Sequence, residues 1–281
     1  MKVKFWGTRG SIAAPGKDTI IYGGNTCCLE ITLESGRKVV IDAGTGMRSL
    51  GEHFIATREA VDILLLMTHI HWDHVQGFPF FDPIFNPSSR IAVDGFPAAM
   101  KGLRVIFDNK MGDGFFPVSF EDLKARIDYI GELSRGPVTI DDTRIDAIPL
   151  NHPQGALGYR FQEGKKKLVF MTDNELVTDG PAGKELDDYV QFCKEADILI
   201  HDTQFTPEEI DRHRGWGHSD SASTLDLALK ARTRQLILFH HAPARKDADV
   251  AAIIEQCSHV AVEGNHDIVI DAAKEGSEFT L

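Results

Sequence analysis

The stretch from Thr68 to His74 constrains this chain more than any other. Its six residues His69 to His74 hold three imidazoles and one carboxylate, and they follow directly on an apolar run over residues 61–67. A continuous apolar run is typical of a strand buried on both faces, and the loop after such a strand gathers its side chains at the carboxyl edge of the sheet. Imidazole nitrogen and carboxylate oxygen are zinc-type ligands. The segment therefore predicts a metal site with room for two ions, rather than a surface loop rich in His.

Length and composition indicate an ordinary soluble globular protein. The chain has 281 residues, of which 42% are hydrophobic, and we expect one domain over residues 1–281. No stretch approaches the roughly 18 apolar residues of a membrane span, and the N-terminus lacks the pattern of a secretory leader. The four cysteines show neither a disulfide framework nor zinc-ribbon spacing, and Cys27 and Cys28 are expected to be packed thiols. These features favour a cytoplasmic protein without a membrane anchor.

The net charge of −12 limits the class of partner. Affinity for long nucleic acid comes largely from Lys and Arg that neutralise phosphates, so the acidic balance disfavours such a partner. Two bound divalent cations would cancel several carboxylates locally, so a small anionic substrate remains compatible with the charge. The sequence leaves the oligomeric state open, a homodimer included.

The distribution of apolar runs predicts an α/β protein of two packed sheets. The first half is rich in strands and the second half alternates helices with strands, which favours two β-sheets packed face to face with helices outside. The predicted strands cover residues 3–6, 28–33, 38–41, 61–67, 126–130, 143–150, 158–162, 167–171, 198–200 and 235–239. The predicted helices cover residues 47–58, 98–108, 183–194, 219–231 and 247–257.

Further His and Asp residues follow other predicted strands. Metal ligands must converge in space, and the carboxyl ends of strands are where α/β folds place their sites. Five apolar strands each end in such a residue: Asp42, His152, Asp173, the pair His201-Asp202 and the pair His240-His241. The sequence therefore predicts that residues far apart along the chain meet around the His69–His74 segment.

The motif His69-x-His71-x-Asp73-His74, followed by His152, Asp173 and His240, resembles the metallo-β-lactamase fold. The resemblance spans nearly the whole chain, from Asp42 to His240, and implies a four-layer αββα sandwich of two mixed β-sheets with a dinuclear site on one edge. By this resemblance, the first metal is bound by His69, His71 and His152. The second is bound by Asp73, His74 and His240. Asp173 bridges the two, and Asp42 orients a ligand imidazole. His241 is the alternative to His240.

The ligand types bear on the metal. The second motif position holds His71, whereas the di-iron oxygen reductases of this fold have Glu there and an added flavin domain, so redox chemistry is not expected. A set of nitrogen and oxygen ligands suits two Zn²⁺ ions, and Mn²⁺ is also compatible with it.

The second half of the chain is similar to the ribonuclease Z-like branch and its phosphodiesterase relatives. The segment Gly217-His218-Ser219 before the last metal-binding His, and His201-Asp202 in a segment where that branch has His-Glu, carry this resemblance. It implies that His218 is a catalytic imidazole and Asp202 its orienting carboxylate, with Asp73 also at the catalytic site. A helix cap is the alternative role for His218, and a core position is the alternative for His201.

The predicted function is metal-dependent hydrolysis, with a small phosphodiester such as a cyclic nucleotide as substrate. The short hairpin between Arg160 and Asp173 leaves no room for the tRNA-gripping arm that many ribonuclease Z enzymes carry there, although an RNA-processing nuclease without an arm remains an alternative. A lactonase or thioesterase on the same metals is another, since one fold hosts many chemistries. The aromatic segment Phe78–Phe85 is either a hydrophobic plug or a wall of the substrate pocket.

Overall fold

The computed structural model describes residues 1–95, 105, 111–112, 114, 116–177 and 184–281. The strands are β1 Lys2–Gly7, β2 Cys28–Thr32, β3 Lys38–Ile41, β4 Asp62–Met67, β5 Arg90–Gly95, β6 Arg126–Tyr129, β7 Val138–Ile140, β8 Thr143–Leu150, β9 Ala156–Glu163, β10 Lys166–Met171, β11 Ile198–Asp202, β12 Gln235–Phe239, β13 Val269–Ala272 and β14 Glu278–Thr280. The helices are α1 Gly46–Thr57, α2 Trp72–Val75, α3 Leu186–Cys193, α4 Ser221–Lys230 and α5 Asp247–Glu263.

The strands of the described residues form two mixed sheets of seven strands each. The first sheet has the order β14-β1-β2-β3-β4-β5-β6 and the second has the order β13-β12-β11-β10-β9-β8-β7. Strands β3 to β6 are parallel to one another, as are strands β10 to β13, whereas the remaining pairings are antiparallel. Each sheet therefore has a run of parallel strands whose carboxyl ends share one edge.

Three apolar clusters hold the layers together. The central cluster lies between the sheets and includes Phe5, Leu66, Phe161 and Phe239. A second cluster packs the outer face of the second sheet against residues of α3, α4 and α5, and a third packs the outer face of the first sheet against residues of α1. This is the αββα sandwich that the sequence predicted, so the fold prediction is confirmed.

Strand β4 is an example of a central strand that is buried on both faces of its sheet. All of its residues after Asp62 are buried, because its two faces lie against different clusters: Leu64 and Leu66 face the second sheet, and Ile63 and Leu65 face the α1 layer. This agrees with the continuous apolar run seen in the sequence.

Several boundaries and elements differ from the sequence prediction. Helix α5 runs to Glu263 rather than 257, and β9 is longer at both ends than predicted. Helix α4 begins at Ser221, because the Asp220 side chain accepts hydrogen bonds from the backbone N–H groups of Ala222 and Ser223 and caps the helix. Strands β5, β7, β13 and β14 were not predicted. The helix predicted over residues 98–108 falls almost wholly outside the described residues.

The aromatic segment forms two short 3₁₀-helices, Phe78–Phe80 and Asp82–Phe85. Phe78, Phe81 and Ile84 are fully buried in the cluster beneath α1, where Phe81 meets Phe54 edge to face. The plug interpretation therefore holds for these three side chains. Among the described helices, none combines the length and apolar character needed to cross a bilayer.

Candidate metal centre

The predicted site residues meet along one edge of the sandwich. Asp42 follows β3, the His69–His74 segment follows β4, His152 follows β8, Asp173 follows β10 and His240 follows β12. Two of these positions, Asp42 and His240, have backbone φ angles of 62° and 61°, in the left-handed region that residues other than Gly rarely adopt. Strained backbone of this kind is common where a fold fixes functional side chains.

One group of side chains, here called the outer group, consists of His69, His71 and His152. Together with Asp173 they offer ligand atoms that all lie within 4.8 Å of one another. The Nδ1 atom of His71 lies 3.0 Å from the Nε2 atom of His152. His69 and His152 are buried, whereas His71 is half-buried.

Hydrogen bonds set the tautomers of two outer imidazoles. His69 Nδ1 lies 3.0 Å from Thr68 Oγ1, and His152 Nδ1 donates to the backbone carbonyl of Gly217 at 3.0 Å. Because Thr68 Oγ1 donates its own proton to Asp42, it accepts from His69. Both rings therefore carry the proton on Nδ1 and leave the Nε2 lone pair for a metal.

A second group, here called the inner group, consists of Asp73, His74 and His240. Asp73 Oδ2 lies 3.2 Å from His74 Nε2 and 3.2 Å from His240 Nε2. All three side chains are buried, and the backbone N–H of Ser11 donates to Asp73 Oδ2 at 2.7 Å. The two groups contain the same residues that the sequence assigned to the two metals.

Asp42 lies behind the inner group and connects it to the outer one. Its carboxylate accepts hydrogen bonds of 2.8 Å from the Thr68 N–H, the Thr68 hydroxyl and His74 Nδ1. The bond to His74 leaves Nε2 of that ring facing the cluster. Through Thr68, the same carboxylate also orients His69.

Asp173 occupies the centre between the groups. One of its oxygens lies 3.5 Å from His69 Nε2 and 3.4 Å from His74 Nε2, and the other lies 3.1 Å from His240 Nε2. This carboxylate therefore lies within 3.5 Å of imidazoles from both groups.

The donor set and its burial match what divalent cations need. Nε2 of His69 and Nε2 of His74 are buried without a hydrogen-bond partner, and such atoms are costly unless something binds them. Burial lowers the pKa of His152 to about 4 and also lowers the pKa of His69, so both rings are neutral donors at neutral pH. Burial alone would raise the pKa of Asp73, but His74 and His240 lower it. Nearby positive charge therefore stabilises the buried carboxylates, and these His and Asp clusters are suited to binding metal ions.

His240 and His241 point to different places. His240 lies in the inner group, whereas His241 Nε2 lies 3.0 Å from the Ala273 carbonyl, and burial lowers the pKa of His241 to about 3. A Cβ at Gly10 would lie 2.4 Å from His240 Nδ1, so this position has no room for a side chain. The geometry favours His240 over its neighbour.

His218 and Asp202 form a buried pair beside the two groups. His218 Nδ1 lies 2.7 Å from Asp202 Oδ2 and 4.0 Å from the nearer oxygen of Asp173. His218 precedes the cap of α4 rather than serving as the cap itself. His201 points elsewhere, since its Nδ1 lies 2.7 Å from the Asp202 carbonyl and its Nε2 lies 3.2 Å from Asn174 Nδ2. This is the core position that was one of its two predicted roles.

A cleft of about 340 Å³ opens over the cluster, a size at the lower end for a small-molecule site. Its lining consists of Ser11, Ile70, His71, Trp72, Asp73, Asp173 and His218. The indole of Trp72 is 67% exposed at this cleft. No residue of the aromatic segment 78–85 is part of this lining, so the pocket-wall interpretation of that segment gains no support.

Three functional contacts were not predicted. Cys27, expected to be a packed thiol, has its Sγ within 4.8 Å of ligand atoms of the inner group. The buried Glu175 carboxylate accepts hydrogen bonds of 2.9 Å from the N–H groups of Gly215 and Gly217 and so holds the loop that carries His218. The third is the Ser11 N–H described above. An acidic residue two positions after Asp173 was a weak signal for Glu175. The signal for Ser11 was that residues 5–11 resemble loops beside the site in related proteins, whereas Cys27 had no signal of its own.

Gly217 shows why this loop contains glycine. A Cβ there would lie 2.0 Å from His152 Nδ1, and its φ is +86°. The loop backbone therefore approaches an outer ligand closely enough to accept its proton, which no other residue type permits.

Comparison with known proteins decides the family. The model of the beta-lactamase superfamily domain matches residues 37–241, which is most of the chain. The chain belongs to the beta-lactamase superfamily. Among the relatives of this superfamily member is the ribonuclease Z of Natronomonas pharaonis, 25% identical over 85% of this chain and 86% of that protein.

Solved structures confirm the fold of this superfamily member. The metallo-β-lactamase fold protein YhfI from Bacillus subtilis superposes with a TM-score of 0.73 at 17% identity, covering 99% of this chain and 98% of that one. Yeast PDE1 superposes with a TM-score of 0.69 at 16% identity, covering 100% and 99%. Membership and fold together identify the chain as a hydrolase of the metallo-β-lactamase fold whose His and Asp clusters are suited to binding metal.

Proposed function

We propose that this protein is a phosphodiesterase that hydrolyses a small phosphodiester, such as a cyclic nucleotide, at a dinuclear metal centre. His69, His71 and His152 would hold one cation, Asp73, His74 and His240 would hold the other, and Asp173 would be shared by both. The observation that carries the proposal is the 2.7 Å contact between His218 and Asp202 beside this cluster. Zn²⁺ is the proposed metal, because three-histidine and mixed histidine–carboxylate sets are zinc sites, and Mn²⁺ is compatible with the same ligands.

When bound, the two cations supply a water molecule that is deprotonated at neutral pH and a positive field for the phosphate oxygens. Residues of the chain orient the catalytic imidazole and donate the proton. Asp202 accepts a hydrogen bond from His218 Nδ1, which fixes the tautomer and the orientation of the ring. The second ring nitrogen, Nε2, is then the one left to bind a phosphate oxygen and to donate a proton to the departing alkoxide.

Two features support a small substrate over a long RNA. Only Gly164 and Lys165 separate β9 from β10, so the hairpin before Asp173 is a tight turn without an inserted arm. The net charge of −12 opposes binding along a polyanion. A separate observation suits either substrate: the exposed Trp72 at the cleft offers an indole surface on which a nucleobase can stack.

An RNA-processing activity is the second candidate, and the ribonuclease Z relative favours it. The two candidates differ in the substrate that the cleft accepts, not in the proposed chemistry. Parallel assays with cyclic nucleotides and with a precursor tRNA separate them: selective cleavage of the tRNA would replace the small-substrate proposal with the nuclease.

The test of the mechanism is His218→Ala. Loss of a general acid typically costs 100-fold or more, so we expect turnover of a cyclic nucleotide, whose leaving group is an alkoxide, to fall about 100-fold while both metals stay bound. Asp202→Asn is the matched variant, because it keeps the shape and weakens the charge behind the ring. Full activity of His218→Ala on this substrate would remove His218 from the mechanism.

Lactone and thioester substrates assayed in parallel test the carboxyl-ester alternative.

A further inference from the structure

Cys27 directly precedes β2 and Cys28 is its first residue, and their side chains lie on opposite faces of the sheet. Cys27 lies on the face between the two sheets, in the same cluster as Leu29 and Ile31. Cys28 lies on the other face, in the cluster beneath α1. Both thiols are fully buried. Because β2 runs antiparallel to β3, its start lies at the edge where β3 ends and the metal centre begins.

At that edge, Cys27 joins the inner group. Its Sγ and one ligand atom each from Asp73, His74 and His240 all lie within 4.8 Å of one another. The thiol otherwise faces the Arg9 carbonyl at 3.7 Å, a long contact for a weak donor. The sulfur therefore belongs to the cluster by position, although nothing in the motif predicts it.

A second observation points at the same volume. Nε2 of His74 is buried and has no hydrogen-bond partner, and the Nδ1 atom of that ring is already bound by Asp42. The free lone pair is thus directed at Asp73 and Asp173, 3.2 and 3.4 Å away, within the group that includes the thiol. An imidazole, carboxylates and a sulfur atom that converge in a buried volume form a cation site.

We propose that Cys27 is a further ligand of the inner metal and binds it as a thiolate. This inference rests on the dinuclear centre proposed above. The S–H bond breaks as the metal–sulfur bond forms, and the proton passes to solvent. The outer group contains no sulfur within its cluster of His69, His71, His152 and Asp173. Only the inner position therefore gains a soft donor, and it prefers Zn²⁺ or Co²⁺ to Mn²⁺, which favours oxygen ligands.

The test is the absorption spectrum of the full-length protein loaded with Co²⁺. A thiolate on Co²⁺ gives an intense near-ultraviolet charge-transfer band that nitrogen and oxygen ligands do not give. Cys27→Ala and Cys28→Ala remove the same atoms from adjacent residues on opposite faces, so they form a matched pair. Cys27→Ser, which keeps the size of the side chain, serves if Cys27→Ala folds poorly.

We expect the band in the unmodified protein and in Cys28→Ala, and its loss in Cys27→Ala and Cys27→Ser. The affinity for one of the two bound ions should fall at least about 10-fold in the Cys27 variants. Removal of a residue that merely hydrogen-bonds a metal ligand already has an effect of this size. Two bound Co²⁺ ions without the band, or a band that survives in both Cys27 variants, would overturn this inference and leave the dinuclear centre standing. A protein that binds no Co²⁺ would overturn the centre itself and the inference with it.

Discussion

The inner and outer groups of the metal centre use similar donors in different surroundings. The inner side chains Asp73, His74 and His240 are buried and supported from behind by Asp42 and the Ser11 N–H. The outer group includes the half-buried His71, which lines the cleft, and it is supported through Thr68 and the Gly217 carbonyl. The difference indicates that the inner group is the more deeply buried of the two, although its Asp73 also lines the cleft, whereas the outer group includes the more open His71.

Loss of Asp173 should have the largest effect, because this carboxylate contacts both groups. In Asp173→Ala we expect both metals to bind weakly and turnover to fall at least about 1,000-fold, since the charge stabilisation that metals supply is worth several kcal/mol. Metal content and turnover measured on the same sample check this. Retention of two tightly bound metals would show that Asp173 does not bridge.

Matched changes in the two groups sharpen the comparison. His74→Ala leaves the buried Asp42 carboxylate without one of its partners, so we expect the metal-free protein to lose about 1–3 kcal/mol of unfolding free energy. His71→Ala should cost little stability, because its ring is only half-buried. Each should lower the metal content by one ion. Denaturant unfolding with a chelator present measures the stability difference, and equal losses in the two variants would contradict the contrast.

The support of the outer group rests on Glu175. This carboxylate holds Gly215 and Gly217, and Gly217 in turn accepts the proton of His152. Glu175→Gln replaces one acceptor oxygen by a donor, so we expect turnover to fall about 10-fold, with the affinity of the outer metal reduced. Asp42→Asn is the comparison variant, because Asp42 contacts His74 of the inner group directly and His69 of the outer group only through Thr68. A pure loss of stability, with unchanged kinetics in the folded protein, would rule out this positioning role.

Trp72 should give the smallest effect. Its exposed indole lines the cleft on the outer side and has no part in either ligand group. If a nucleobase stacks on it, Trp72→Ala should raise KM for a cyclic nucleotide about 5-fold, the lower end of measured stacking energies, with kcat unchanged. Hydrolysis of a small phosphodiester without an aromatic group provides the comparison, since its KM should stay the same.

For a local reason, the sequence indicated which side chains lie together at the ends of the strands. A run such as Ile63–Met67 identifies a buried strand from its neighbours alone, and His69 to His74 then fall at the end of that strand by chain connectivity. The same logic found Asp42, His152, Asp173 and His240. Reasoning from local pattern missed β13 and β14, because these short, partly exposed segments lack a continuous apolar pattern. They form strands because they pair with neighbouring strands of the sheet.

The amino-acid sequence by itself determined the α/β class, because helices and strands show in short-range periodicity. It also showed that His and Asp residues, whose side chains can bind metal, follow successive central strands along the chain. Only the tertiary structure decided which of His240 and His241 faces the cluster, that Cys27 lies beside the inner group and that Glu175 holds the His218 loop. These depend on where the two sheets bring distant strand ends together, and such contacts leave no pattern within any single segment of the chain.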